Sequence, residues 1–351
     1  MTTTKMHPPT NTPMNTQTRS RSLWSSVLPL LKRQEVGLLG VILLLGLAVS
    51  LANSRFLTSG NLFNLLQTVV VVGIIAVGQT FVLIAKEIDL SVGSVLALAG
   101  VSGGAMYANG VNPWISMGFG IGVGAFCGLL VGSVVVFGKV NSFIVTLGML
   151  SIARGATQLV TGGLPQEMPK ELQFIGQGRI AGGLPISVLI FIVFVIIGQM
   201  VLTRTVFGLR VTAVGDNAQA ARTGGIPVAR TRILTFVLIG TLAGVAGMIF
   251  STQVGVAEAQ AGTGYELDVI AAAVIGGASL SGGRGSIIGA FLGACLLGLL
   301  RNSFILLALS PFLQQLSIGL VIVLAALFDQ WRQGNIGRFR FRLRLRSRRP
   351  A

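Results

Sequence analysis

The stretch VGLLGVILLLGLAVSLA, Val36 to Ala52, is apolar on every face and carries no charge. Its length approaches the ~20 residues that an α-helix needs to cross a ~30 Å hydrocarbon core. A membrane β-strand would alternate apolar and polar residues over ~10 positions, and this run does not. Similar runs recur as far as Leu327. Only 10% of the 351 residues are charged and 52% are hydrophobic, whereas soluble domains carry about 25% charged residues. A water-soluble fold is therefore excluded, and a closed barrel is disfavoured. The sequence predicts an all-α, polytopic transmembrane helical bundle of about ten spans, some of them short or broken.

The spans fall near 36–53, 64–86, 90–108, 114–137, 142–161, 185–203, 231–252, 267–280, 286–304 and 312–330. Basic loops stay in the cytoplasm, and this rule supports the count. With the N-terminus inside, the inner loops hold Lys86, Lys139, Arg204, Arg210, Arg222, Arg230, Arg232 and Arg284. The outer loops hold Arg55, Lys170 and Arg179, together with Glu167, Glu171, Glu258, Glu266 and Asp268. Arg154 and Arg301 fall within spans and are left unexplained. Both termini are expected in the cytoplasm. The third, fifth and eighth segments are rich in Gly, Ala or Ser, and the eighth is short. Such segments need protein neighbours to satisfy their backbone.

The net charge of +16 is mostly terminal. Five basic residues lie in Met1–Gln34 and eight arginines in Trp331–Ala351, leaving +3 for the rest. Three domains are expected: a disordered basic tail at 1–34, a membrane domain at 35–330 and a basic tail at 331–351. The tails suit anionic lipid headgroups, which attract each basic residue beside a membrane by about 1 kcal/mol. No nucleic-acid partner is inferred. The only histidine is His7, so no histidine metal site or proton relay is available. Cys127 and Cys295 sit inside apolar spans and read as packing residues. No phosphate loop and no zinc-protease motif occurs. No catalytic residue, metal site or bound cofactor is expected, and the chain does not read as an enzyme.

Small residues recur every four positions: Gly120, Gly124, Gly128 and Gly132 on one stripe, and Gly285, Gly289 and Gly293 on another. They let helix backbones approach closely in lipid, within the bundle or between subunits. Candidate polar pathway residues are Gln67, Gln79, Thr80, Asn141 and Thr146, although interhelical hydrogen bonding is the favoured reading of each. KEIDLSVGS, Lys86 to Ser94, concentrates charge between two apolar runs. It reads as a turn at the inner interface, with Asp89 or Ser91 capping the next helix and Lys86 reaching the headgroups. Asp89 and Ser91 are also candidates for an inner gate.

The longest inner connection is TRTVFGLRVTAVGDNAQAARTGGIPVARTRI, Thr203 to Ile233. Its middle reads as a short helix. Asp216 or Asn217 serves as N-cap, the alanines favour helix, and Gly224-Gly225 ends it. A small-residue helix of this kind fits a groove on a partner, although a plain surface linker has the same signature.

The segment FGLRVTAVGDNAQAARTGGI resembles the coupling loop of ATP-binding-cassette importer permeases of the ribose/monosaccharide type. Three further stretches agree in order: Asn61 to Leu98, SFIVTLGMLSIARG (Ser142 to Gly155), and Gly262 to Ala294. The resemblance covers roughly Leu31 to Gln330 and leaves out both tails. It implies a permease subunit of an importer that brings a ribose-like monosaccharide across the inner membrane. It implies a second permease subunit, a cytoplasmic ATPase that uses ATP and Mg, and a periplasmic binding protein. It assigns coupling to Gly208, Arg210, Gly215, Asp216, Asn217, Ala220 and Gly225. Glu258, Glu266 and Asp268 become candidates for binding-protein docking, although Glu266 and Asp268 also suit the start of the following helix. Other cargoes fit the same machinery: a branched-chain amino acid, a nucleoside or a signalling molecule. An ion-coupled secondary transporter is the weaker alternative, because it needs ionisable side chains within the membrane.

Overall fold

The computed structural model describes residues 34–180 and 183–332, without the side chains of 34, 325, 326 and 328–332. The expected tails lie outside these residues, except where Gln34 opens the first helix and Arg332 closes the last.

Thirteen helices are described: α1 Gln34–Ala52, α2 Ser59–Ile84, α3 Val92–Ala108, α4 Pro113–Phe137, α5 Ser142–Thr161, α6 Lys170–Gln177, α7 Ile186–Arg204, α8 Val206–Asp216, α9 Ala218–Thr223, α10 Val228–Val254, α11 Tyr265–Ile275, α12 Ile287–Leu306 and α13 Pro311–Arg332. Each of the ten expected spans has its helix. Seven of them (α1, α2, α4, α5, α7, α10 and α12) are long and apolar enough to cross a membrane. The helix starts carry recognisable caps. Thr58, Asn112, Asn141 and Ser286 accept backbone N–H groups at the starts of α2, α4, α5 and α12.

Of the other three expected spans, α13 is apolar over Pro311–Leu324, α3 has 17 residues and α11 has 11. At 1.5 Å per residue, α11 is ~16 Å long, about half a hydrocarbon core. α3 and α11 are packed inside the bundle, where protein rather than lipid satisfies the irregular backbone beside them.

α2 and α10 form the centre. Every residue of α2 from Val69 to Ile84 is buried, as befits a helix that is apolar all round. α4 and α10 make the closest seam. A Cβ on Gly124 would collide with Gly240 O, one on Gly128 with Phe236 O, and one on Gly132 would lie 3.0 Å from Ile233 Cα. Gly289 and Gly293 meet Gly276 and Ala272 in the same manner. Both glycine stripes therefore pack within this chain. α1, α5 and α7 lie at the edge and expose leucine, isoleucine and valine, as lipid-facing helices do.

Two ends of the bundle are distinct. At one, the chain leaves α2 at Lys86, and α8, α9 and the Gly282-Gly283 loop gather. At the other, strands β1 (Gln166–Glu167) and β2 (Val256–Ala257) pair antiparallel.

Candidate functional site

At the Lys86 end, α7 stops at Arg204 and the chain turns through Thr205 into α8. Thr205 Oγ1 accepts the Gly208 N–H at 3.3 Å, and Gly208 packs back against the carbonyls of Val201 and Leu202. Asn217, not Asp216, caps α9. Its Oδ1 accepts Gln219 N and Ala220 N, each at 3.0 Å. Gly224 closes that helix and Gly225 follows with φ +80°, the left-handed conformation glycine adopts freely.

The seven coupling candidates divide into two groups. Arg210, Asp216, Asn217, Ala220 and Gly225 are exposed. Gly208 and Gly215 are buried packing points. Gly215 sits against the end of α2, where any Cβ would collide with Ile84 O. The same carbonyl accepts Gly283 N–H at 2.9 Å. α8, the end of α2 and the Gly282-Gly283 loop thus meet at one carbonyl.

Beyond Ile84 the chain differs from the sequence expectation. Lys86 takes φ +64°, and Glu87 N–H reaches back to Val82 O at 3.0 Å. This is the six-to-one bond of a Schellman turn, made here with lysine in place of glycine. Glu87 pairs with Arg232 at 3.1 Å, in the second turn of α10. The chain then runs without helix through Ile88–Ser91. By Gly93 it has reached the loop that follows β2, and a Cβ there would collide with Gly262 O. The turn is confined to Ala85 and exposed Lys86, and Glu87 to Ser91, a stretch that spans at most ~20 Å when extended, runs inward into the bundle.

Its polar groups find partners inside. Ile88 N–H donates to Ser142 Oγ at 3.3 Å. Asp89 is 2% exposed and Oδ1 accepts both Ser91 N–H at 2.8 Å and Ser91 Oγ at 2.7 Å. Of the two capping candidates, Asp89 is the acceptor, and Ser91 makes no side-chain cap. Thr146 is buried beside Ile88 O, and Thr80 Oγ1 donates to Ala76 O. Asn141 is exposed and caps α5. Gln79 is fully buried, and neither of its amide atoms has a partner among the described residues.

The two arginines that topology left unexplained both act at the opposite end. Arg154 donates to the carbonyls of Ala259 and Ala261 and so ties down the loop after β2. Arg301 on α12 pairs with Asp268 on α11 and lies 5.8 Å from the Tyr265 ring centroid. Asp268 is buried and ion-paired, Glu266 is half-buried, and Glu258 is exposed. The sequence does hold a signal for these contacts. A charge within a span is costly and takes a partner, but nothing in the sequence names that partner.

A bundle of apolar helices, with short segments packed inside it, defines an all-α polytopic membrane protein. The chain belongs to the family described as branched-chain amino acid transport system / permease component, whose model matches residues 61–326. It is 38% identical to the ribose import permease protein RbsC of Escherichia coli (strain K12), over 86% of this chain and 94% of that protein. It is 37% identical to the autoinducer 2 import system permease protein LsrC of Enterobacter sp. (strain 638), over 86% and 88%. It is 36% identical to the L-arabinose ABC transporter permease protein AraH of Azospirillum brasilense, over 85% and 88%. No solved structure matches the chain.

Proposed function

We propose that this chain is the membrane-spanning subunit of an ATP-driven importer that carries a ribose-like monosaccharide across the bacterial inner membrane. The Lys86 end faces the cytoplasm together with both termini, and the β1–β2 end faces the periplasm. Two permease subunits pair, either two copies or this chain with a paralogue. A cytoplasmic ATPase, which uses ATP and Mg, docks on the exposed residues of α8 and α9. A periplasmic binding protein delivers the sugar, with Glu258 on its docking surface.

The observation that carries the reading is the junction at Ile84. An exposed, capped helix pair is packed through Gly215 onto the point where the central helix α2 gives way to an extended segment. A push on α8–α9 is thereby applied to the interior of the bundle. The names of the ribose and arabinose relatives support the cargo. Most interior charges are neutralised by partners, which argues against ion coupling, and Asp89 is the buried carboxylate held by Ser91 alone among the described residues. Asp268 is paired with Arg301, Glu87 with Arg232, and Arg154 is held by two carbonyls.

Photo-crosslinking in membranes that contain the whole importer tests orientation and partners together. A crosslinker at Ala220 is expected to capture the ATPase, and one at Glu258 the binding protein. Capture of the ATPase from position 258 would overturn the assignment.

A further inference from the structure

Between α2, α10 and the start of α11, at the end opposite α8–α9, lies a cavity of about 330 Å³. Its walls include Asn64, Gln67 and Thr68 on one face of α2, Phe250 and Gln253 on α10, and Tyr265. The rim is open, since Asn64 and Thr68 are exposed.

Four features of this cavity bear on its occupant. The volume stands near the lower end of the ~300–1,000 Å³ of small-molecule sites, which suits a ligand of a dozen or so heavy atoms. Among the described residues, no charged side chain lines the cavity. The nearby Asp268 and Arg301, which share Thr68 with it through an adjoining crevice, neutralise each other. The polar groups are held in place with acceptor capacity to spare. Gln67 Nε2 donates to Gly176 O at 2.6 Å, leaving its carbonyl oxygen, and Thr68 Oγ1 donates to Asn64 O at 2.9 Å, leaving its lone pairs. Finally, Phe250 and Tyr265 stand edge to face, with centroids 6.2 Å apart, and add an apolar wall to the amides.

A zwitterion would have to leave water for a wall without a counter-charge, at a large desolvation cost. A neutral polyol exchanges water for amides and a hydroxyl, and lays its C–H face on an aromatic ring. A bilayer does not solvate Asn64, Gln67 and Gln253, so this face opens on water or on a second subunit. We propose that the cavity is an outer subsite for a neutral polyhydroxylated cargo, a furanose or pyranose sugar, and that it rejects amino acids. The proposal rests on the importer reading above and specifies where that importer first holds its cargo.

The test is substrate protection in vesicles that contain the permease with its ATPase and binding protein. Thr68→Cys is placed in a background in which Cys127 and Cys295 are replaced by alanine, and its thiol is labelled with a cationic methanethiosulfonate reagent. D-Ribose at about 100 mM, well above the millimolar range of weak sites, is expected to slow labelling at least fivefold, and L-leucine to leave it unchanged. Adding Gln67→Leu is expected to abolish the protection. Uptake of labelled ribose by the parent complex is measured in parallel. If the parent imports no sugar, the importer reading fails and the subsite falls with it. If the parent imports sugar but the introduced thiol is unreactive, or is labelled equally fast with and without ribose, the subsite alone is overturned. Equal protection by leucine overturns the neutral-cargo assignment.

Discussion

The α-carbon of Gly215 lies so close to the carbonyl of Ile84 that no side chain fits between them. Helix α8 is thereby fixed to the last turn of the central helix α2, while Ile84 O still accepts the Gly283 N–H. This contact joins the exposed α8–α9 pair, the proposed coupling element, to the core without an intervening flexible side chain. Rigid contacts of this kind transmit small displacements, because packed cores shift between discrete arrangements and do not deform continuously.

Gly215→Val must therefore separate α8 from α2. We expect ATP hydrolysis by the assembled importer to stay within threefold of the parent, while uptake falls by more than tenfold. Paired ATPase and uptake assays, with size-exclusion profiles as the folding control, read this directly. Asp216→Ala, on the exposed side of the same junction, is expected to shift the same ratio in the same direction. Unchanged uptake in both variants would remove the loop from the mechanism.

Asp89 is expected to act through hydrogen bonding, not charge. Its Oδ1 accepts from Ser91 N and Ser91 Oγ, and an asparagine oxygen can accept both bonds. Asp89→Asn should keep uptake within about twofold. Asp89→Leu leaves buried Ser91 groups unsatisfied, at a cost of ~1–3 kcal/mol each, and should lower the unfolding temperature in detergent. A large loss of uptake in Asp89→Asn alone would instead assign the carboxylate to a gate.

Arg301 and Asp268 form a pair at the α11–α12 contact. Truncating one partner of a buried pair leaves an uncompensated charge and costs ~3–5 kcal/mol. Arg301→Met alone should destabilise the fold by about that amount, whereas Arg301→Met with Asp268→Leu should recover most of it. Thermal unfolding of the two single variants and the double variant separates the coupling from the individual effects.

The spans are legible in the sequence because length and apolarity are local properties, and each expected segment from Val36 to Leu327 has its helix. The cap at Asn217 and the stop at Gly224-Gly225 are legible for the same reason, since their signals lie within a few residues of one another. KEIDLS reads as a surface turn, and only its first residue, Lys86, sits in one, while Glu87 to Ser91 run inward. A charged stretch between apolar runs ordinarily marks an interface, and the groups that receive this one, Ser142 and Arg232, lie far away in sequence. The partners of Arg154 and Arg301 are hidden likewise. The first binds carbonyls more than a hundred residues away, which no side-chain pattern records.

ATP-driven uptake in proteoliposomes separates an ATPase-coupled permease from every self-sufficient transporter. The permease is reconstituted with its ATPase and binding protein, and labelled ribose accumulation is followed with ATP and Mg on the ATPase side. Accumulation is expected to require both ATP and the ATPase, and to be unchanged when a proton gradient is collapsed. Accumulation driven by a proton gradient in vesicles that hold the permease alone would contradict the importer assignment.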